Sequence, residues 1–449
     1  MKKLALAMAV ATFSCGAAAK TVVSDNEAWK DKYPNQYASW AETQETDAVI
    51  DLLEKNPNLV ILWGGYGFMK DYKKARGHQF AVTDVVQTLR TGAPMGDMDG
   101  PMPASCWSCK TPDSARMIAE LGEAEYSAKK FGALGHEMSN AIGCADCHDG
   151  TSPKLTLSRP FAERAMETVD LAFADQDRKM QGSQTCAQCH VEYYFDPTNS
   201  GAVKFPWDMG MNAEQQLAYY DSIGFADWTH AVSKAPMLKA QHPEFETWAP
   251  SIHAELGVTC VDCHMPKVSN DEGRKFSKHN VGNTMDNFDV ACSSCHDSKS
   301  DMEDLLKANK AEIQAKQALA EEVIVRAHFE AGAAWDAGAD EAEMKQALTK
   351  IRHAQWLWDF AIASHAIHAH NPSESLRLLD SAKATGLQAQ AELKKVLDKH
   401  GVKQPVALPD FSTKAKAQAL LGFDKAADQA AKDKFVEERA KGQWETPLK

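Results

Sequence analysis

Ten cysteines in this 449-residue chain fall into five pairs at one spacing: Cys106/Cys109, Cys144/Cys147, Cys186/Cys189, Cys260/Cys263 and Cys292/Cys295. Four pairs are followed directly by a histidine, His148, His190, His264 and His296. The first pair is followed by Lys110. Two thiols three positions apart can each add to a vinyl group of one porphyrin, and the next residue then lies beneath the iron as an axial ligand. A lone Cys-x-x-Cys also suits zinc, a disulfide or a dithiol redox couple. Four copies with the trailing histidine point to covalent haem c. Of 16 histidines, twelve lie outside the motifs. They are numerous enough to close the far face of four haems without drawing on the 17 methionines.

Lys110 is the departure. An amine binds iron only when deprotonated, so its ordinary pKa of about 10.4 must be lowered by burial and by the metal. The alternative is an exposed charge beside a haemless cysteine pair. A fifth haem, however, uses every cysteine except Cys15. That arithmetic favours a haem with a lysine proximal ligand and an open opposite face, which is where a substrate would bind.

One Cys-x-x-Cys-Lys followed by four Cys-x-x-Cys-His motifs resembles the ammonia-forming cytochrome c nitrite reductases, and the likeness spans the chain beyond its first residues. The resemblance implies five covalently bound haem c groups, calcium, and reduction of nitrite at the lysine-ligated haem. It implies catalytic roles for Arg90 in "QTLRTGAP", Tyr193 in "CAQCHVEYYF" and His242 in "LKAQHPEFE". It also implies a calcium site at the Glu192 side chain, the Tyr193 and Lys239 carbonyls and the Gln241 amide, all oxygen donors as a hard cation requires. As distal ligands it implies His78 for the haem of His190, His253 for that of His296 and His279 for that of His148. For the haem of His264 the stretch "SHAIHAHNP" offers His365, His368 and His370, and the family pattern points to His370. Each catalytic residue also has an ordinary alternative. Arg90 could pair with a haem propionate, His242 could be a surface residue beside Pro243, and Tyr193 could simply pack on a porphyrin. The resemblance further implies a homodimer and a membrane-linked quinol-oxidising cytochrome as electron donor.

These residues suit the chemistry. Nitrite becomes ammonium by taking up six electrons and eight protons, and several haems can act as wire and reservoir. A permanently charged arginine can hold an anion's oxygens. A histidine titrating near neutrality can supply protons. Two other readings stand beside this one: an electron carrier without catalysis, and a related multihaem enzyme acting on hydroxylamine or sulfite.

The elements that must hold these groups divide the chain at about residue 300. Lys2 and Lys3, the apolar run 4–13 and Ala17-Ala18-Ala19 have the form of a secretory signal peptide, 1–19, which predicts export to the periplasm. Residues 20–300 carry all five motifs among Gly- and Pro-punctuated connections, so this catalytic region reads as haems packed among short helices and loops. From 301 to 449 the texture turns to Ala, Glu, Lys and Leu, with apolar residues at helical intervals. Long helices are predicted at 301–335, 341–369 and 375–399, with an intramolecular bundle or the dimer interface as their packing partner. The expected fold is mainly α, a multihaem cytochrome c fold followed by long C-terminal helices. The formal net charge of −13 (−15 without Lys2 and Lys3) argues against a nucleic-acid partner, and an anionic substrate would need a local cationic pocket.

Overall fold

The computed structural model of the chain describes residues 22–43 and 47–449. The expected signal peptide, 1–19 with Cys15, lies outside the described residues. Helices dominate. Those that hold or brace the motifs are α1 (Ala81–Gln87), α2 (Arg178–Cys186), α3 (Ala213–Ser222), α4 (Lys299–Asp336), α5 (Glu341–Ala363), α6 (Pro372–Lys399) and α7 (Lys425–Lys434). Among the described residues, strands form three two-stranded antiparallel ribbons. These pair β1 (Tyr194–Asp196) with β2 (Ala202–Lys204), β3 (Trp228–Thr229) with β4 (Pro236–Met237), and β5 (Lys267–Ser269) with β6 (Lys275–Ser277).

The long helices have clear starts. The Ser298 hydroxyl accepts from the Asp301 amide at the head of α4, and Asp340 and Glu343 cap α5 reciprocally. Asn371 caps α6, with Pro372 at its first position. The 38 residues of α4 span about 57 Å at the usual helical rise. α4, α5 and α6 fold back on one another and bury Ile324, Ala327 and Ala331 of α4 with Ile351 and Trp358 of α5 and Leu378, Ala382 and Leu393 of α6. Gly386 lets α6 approach closely, since a Cβ there would stand 2.8 Å from Val323. The three long helices therefore pack as an intramolecular bundle. Leu305, Leu319 and Leu387 stay exposed on its outside.

One predicted helix is corrected. The stretch 341–369 breaks after Ala363: Ala366 takes φ +52°, and a short turn, Ile367–His370, follows. The break has local causes. Glu244 accepts from the His365 amide at 2.9 Å, Ser364 pairs with Thr247 at 2.8 Å, and the Asn371 amide donates to the Thr247 carbonyl. These contacts pull the chain away from the helix axis toward the motif region.

The change of texture near residue 300 is not a gap in packing. One apolar core joins Leu59–Trp63, α3 and β4 to the long helices. A second joins Trp107 and Phe131 to Phe435 and Trp444 near the C-terminus.

Candidate functional site

Each histidine motif is one helical turn. The amides of His148, His190 and His296 donate to the carbonyls of Cys144, Cys186 and Cys292 at 2.9–3.0 Å. The first motif is wound more tightly: the Lys110 amide donates to Trp107 at 2.9 Å, three residues back rather than four. None of the ten motif cysteines is paired in a disulfide. The turns are pinned together by a buried polar knot. Arg159, 1% exposed, donates to the carbonyls of Ser108 and Thr111, which flank Lys110, and to the Asp146 carboxylate of the second motif at 2.5 Å. Gln188 of the third motif accepts from the Arg159 amide at 3.0 Å and donates to the Asp146 carbonyl at 3.1 Å.

The last motif is the most exposed of the five. Nine of the ten cysteines are buried or half-buried, but Cys295 is exposed. Ser293 and Ser294 beside it are exposed too, and the Cys295 Sγ accepts from the Ser294 hydroxyl at 3.7 Å. The reason is position: this turn lies at the protein surface, just ahead of the exposed first residues of α4, and the knot around Arg159 does not extend to it. Its partner Cys292 is half-buried, so the pair has one thiol turned inward and one at the surface.

Four pairs of imidazoles face one another across almost identical gaps. Ring centres are 6.3 Å apart for His78 and His190, 6.3 Å for His148 and His279, 6.4 Å for His253 and His296, and 6.2 Å for His264 and His370. A ligating imidazole nitrogen stands about 2.0 Å from its metal and the ring centre roughly 1.15 Å beyond, so two trans ligands have centres about 6.3 Å apart. Each gap therefore fits one ion between the rings. His230 and His328 are the contrast: they stack at 3.7 Å, held by Ile61, Ser233 and Gln355, with no room for anything between them. The outer ring nitrogens of three motif-region histidines point to acceptors. His190 Nδ1 faces Glu244 at 3.6 Å, His264 Nδ1 faces the Gly282 carbonyl at 3.3 Å, and His279 Nδ1 faces the Ser277 carbonyl at 2.7 Å. That leaves Nε2 toward the gap. Burial holds His78, His148 and His370 down at about 4, in the neutral form that a metal requires. His370, not His368, is the ring opposite His264.

The first motif has a different neighbourhood. Trp107 is fully buried, stacked on Phe131 at 4.1 Å and donating to its carbonyl. The Lys110 side chain is half-buried and forms no hydrogen bond or ion pair among the described residues. Arg90 sits in the turn Leu89–Thr91, its guanidinium 4.1 Å over the Phe68 ring. Tyr193 meets His242 edge-on at 5.7 Å. Burial raises the Tyr193 phenol well above its usual range, reinforced by Cys109 and Cys106, and Lys110 is among the charges that lower His242. The structure thus gathers Arg90, Tyr193 and His242 around Cys106–Lys110. A second expectation changes here. Burial pushes His242 down to about 3 despite the pull of Glu244, so in this pocket it is neutral at neutral pH rather than half-titrated.

The oxygen donors expected to hold calcium are adjacent. The Gln241 amide donates to Glu192 Oε2 at 2.5 Å, and the Gln241 side chain donates to the Lys239 carbonyl at 3.1 Å. Glu192 is 1% exposed, and burial raises its carboxyl well above the usual range, with Glu246 and Asp227 adding to the effect. Asp227 itself is pushed to about 7 and Glu246 to about 8, again mainly by burial. The nearby Lys239 ammonium is spent on Asp359 at 2.7 Å. Buried carboxyls in excess of cations are the environment a divalent ion relieves. Among the described residues, no three His, Cys, Asp or Glu side chains converge as a metal centre. Any ion here would rest on one carboxylate and backbone or amide carbonyls.

Three residues that motif reasoning passed over shape the site. Glu244 lies against His190, His242 and His365, at 3.6, 3.7 and 2.9 Å. Its only sequence signal is its position two residues after His242. Tyr66 stacks between Trp228 at 4.6 Å and Phe68 at 5.6 Å, and carries a phenol raised mainly by burial. Arg159, which ties three motifs together, precedes Pro160 in an unremarkable stretch.

A sequence profile of the cytochrome c552 family matches residues 25–449. The chain is also similar to the solved catalytic subunit of the cytochrome c nitrite reductase of Desulfovibrio desulfuricans, a structure described with two calcium sites. The TM-score is 0.76 and the identity 28%, over 92% of this chain and 91% of that one.

Proposed function

The chain belongs to the cytochrome c552 family and is an oxidoreductase of the nitrite reductase kind, and from that premise we propose that it is a periplasmic pentahaem enzyme reducing nitrite to ammonium. The observation that carries the reading is the asymmetry of the motifs. Four motif histidines each face a second imidazole at 6.2–6.4 Å, whereas Lys110 has no such partner among the described residues and acts electrostatically on His242, which Tyr193 meets edge-on. In this reading the ten cysteines hold five haems. His148, His190, His264 and His296, with His279, His78, His370 and His253, close four of them as electron carriers. Lys110 holds the fifth. A haem bound there would supply Lewis-acid and electron-donor chemistry.

The chain's own groups then divide the remaining work. Arg90 offers a fixed positive charge and paired N–H donors to the nitrite oxygens, which offsets the protein's net negative field. The Phe68 ring supports the guanidinium from one side. Tyr193, kept protonated by burial, donates a hydrogen bond from its phenol. His242 rests neutral, and Glu244 at 3.7 Å from its Nδ1 stabilises the imidazolium whenever the ring takes up a proton for delivery. Calcium at Glu192, Tyr193, Lys239 and Gln241 would neutralise the buried carboxyls and tie the segment of Tyr193 to that of His242. We assign the homodimer to the outer faces of α4 and α6, where Leu305, Leu319 and Leu387 are exposed, and the electron donor to a membrane-linked quinol-oxidising cytochrome.

The test is direct. The purified, fully haem-loaded protein with reduced methyl viologen should consume nitrite and release one ammonium per nitrite. Absence of ammonium with all five haems attached would sink the proposal.

A further inference from the structure

The C-terminal helix α7 reaches back to the turn that carries Arg90. Lys432 on this helix is 2% exposed and makes no ion pair among the described residues. Its ammonium donates to the Val86 carbonyl at 3.0 Å and the Thr91 hydroxyl at 3.2 Å, and lies 4.9 Å over the Phe435 ring. Both acceptors belong to the end of α1 and the turn Leu89–Thr91 that follows it. The last carbonyls of a helix have no partner within it and form its negative end, so a cation is favoured there. Here the Thr91 hydroxyl takes the Val85 and Thr88 carbonyls at 2.9 and 3.0 Å, and Lys432 takes that of Val86. One turn earlier on α7, Asp428 pairs with Lys70 at 2.7 Å. The Gln418 side chain donates to the carbonyls of Met69 and Lys70. The segment held in this way includes Phe68, on which the Arg90 guanidinium rests, and Gly67, which packs against the Arg90 backbone.

A buried lysine without a carboxylate is rare, because an apolar side chain would fill the same space without burying charge. The charge must therefore do something there. We propose that Lys432 is a positioning residue for Arg90, whose ammonium ties down the turn carrying the guanidinium and so sets the affinity of the site for its anionic substrate. The inference rests on the nitrite reductase reading. The ammonium is also titratable. Burial pulls it down to about 7, with Asp71, Cys106 and Asp428 raising it and Lys73 lowering it. Above that range the anchor loses its charge, and the anion should bind more weakly.

The test compares wild type, Lys432→Met and Lys432→Arg, each checked for full haem content. The readouts are the nitrite dissociation constant from optical titration of the oxidised protein, KM and kcat with a fixed reductant, and the thermal midpoint. In Lys432→Met, the nitrite Kd and KM should rise about tenfold, the ratio that 1.4 kcal/mol represents, with kcat within about twofold. Lys432→Arg should recover at least half of that loss on a logarithmic scale. It should also lack the weakening of nitrite binding that wild type undergoes as pH rises through about 7. A Lys432→Met protein with wild-type Kd and KM, even with a lowered thermal midpoint, would overturn the inference. If Lys432→Met does not accumulate, Lys432→Arg decides the matter, and a pH step retained in that variant would overturn it. Failure of wild type to form ammonium would instead remove the functional reading itself.

Discussion

Removing the Arg159 guanidinium tests whether the motif turns are held by the polar knot between them. In Arg159→Met, Asp146 remains 6% exposed with its amide contact to Gly143 but no counter-ion. The Ser108 and Thr111 carbonyls flanking Lys110 lose their donor. Stranding one partner of a buried ion pair costs roughly 3–5 kcal/mol. That is a large share of the roughly 5–15 kcal/mol that holds a folded domain together. The loss should depend on pH with a definite sign. Burial raises Asp146 even though the Arg159 charge opposes the shift. Without Arg159 its folded pKa rises further above the unfolded value. The folded state then holds the extra proton, and stability falls as pH rises through that window. Denaturant unfolding followed by circular dichroism should therefore give a loss of about 4 kcal/mol at pH 8 and a smaller one at pH 5. The double variant Arg159→Met/Asp146→Asn, which removes both charges, should recover about half of it. A variant within about 1 kcal/mol of wild type, or a double variant no more stable than the single one, would refute the reasoning.

Chelation of calcium should destabilise the protein more at pH 8 than at pH 5.5. Without the ion, Glu192 and Asp227 are raised in the folded state, Asp227 to about 7, so stability falls between about pH 4 and 7 as the unfolded carboxyls ionise first. Thermal midpoints with and without EGTA across that range measure the effect, and an equal shift at both pH values would contradict it. His370→Ala should convert one low-spin haem to a high-spin species in the visible and EPR spectra, while His368→Ala leaves the spectrum unchanged. The reverse would reassign the ligand. Glu244→Gln removes the carboxylate beside His242 and should lower kcat by about 10- to 100-fold, the usual range for a residue that tunes a proton donor. Stopped-flow turnover at unchanged haem content checks this.

Cysteine spacing alone carried the expectation of haem, because two thiols and an adjacent ligand form one helical turn that needs no tertiary context. Spacing says nothing of enclosure, however, and Cys295 lies at the surface because of what surrounds its turn, not because of the motif itself. The long helices were legible because capping residues and apolar periodicity are local. What failed was the stretch through His365, where local propensity favours continued helix and Glu244 and Thr247, far away in sequence, break it. The charge state of His242 was equally hidden. Its type suggests titration near neutrality, but burial decides, and burial depends on what Tyr193 and the neighbouring loops enclose. Arg159 and Lys432 had no signal, since single basic residues become anchors only once distant carbonyls converge on them.

The central claim is that the haem at Cys106/Cys109 is held by Lys110 and open toward Arg90, Tyr193 and His242. EPR of the oxidised, fully loaded protein addresses it directly. One haem in five should be high-spin, and nitrite should shift that signal alone. Five low-spin haems, unaffected by nitrite, would contradict the account.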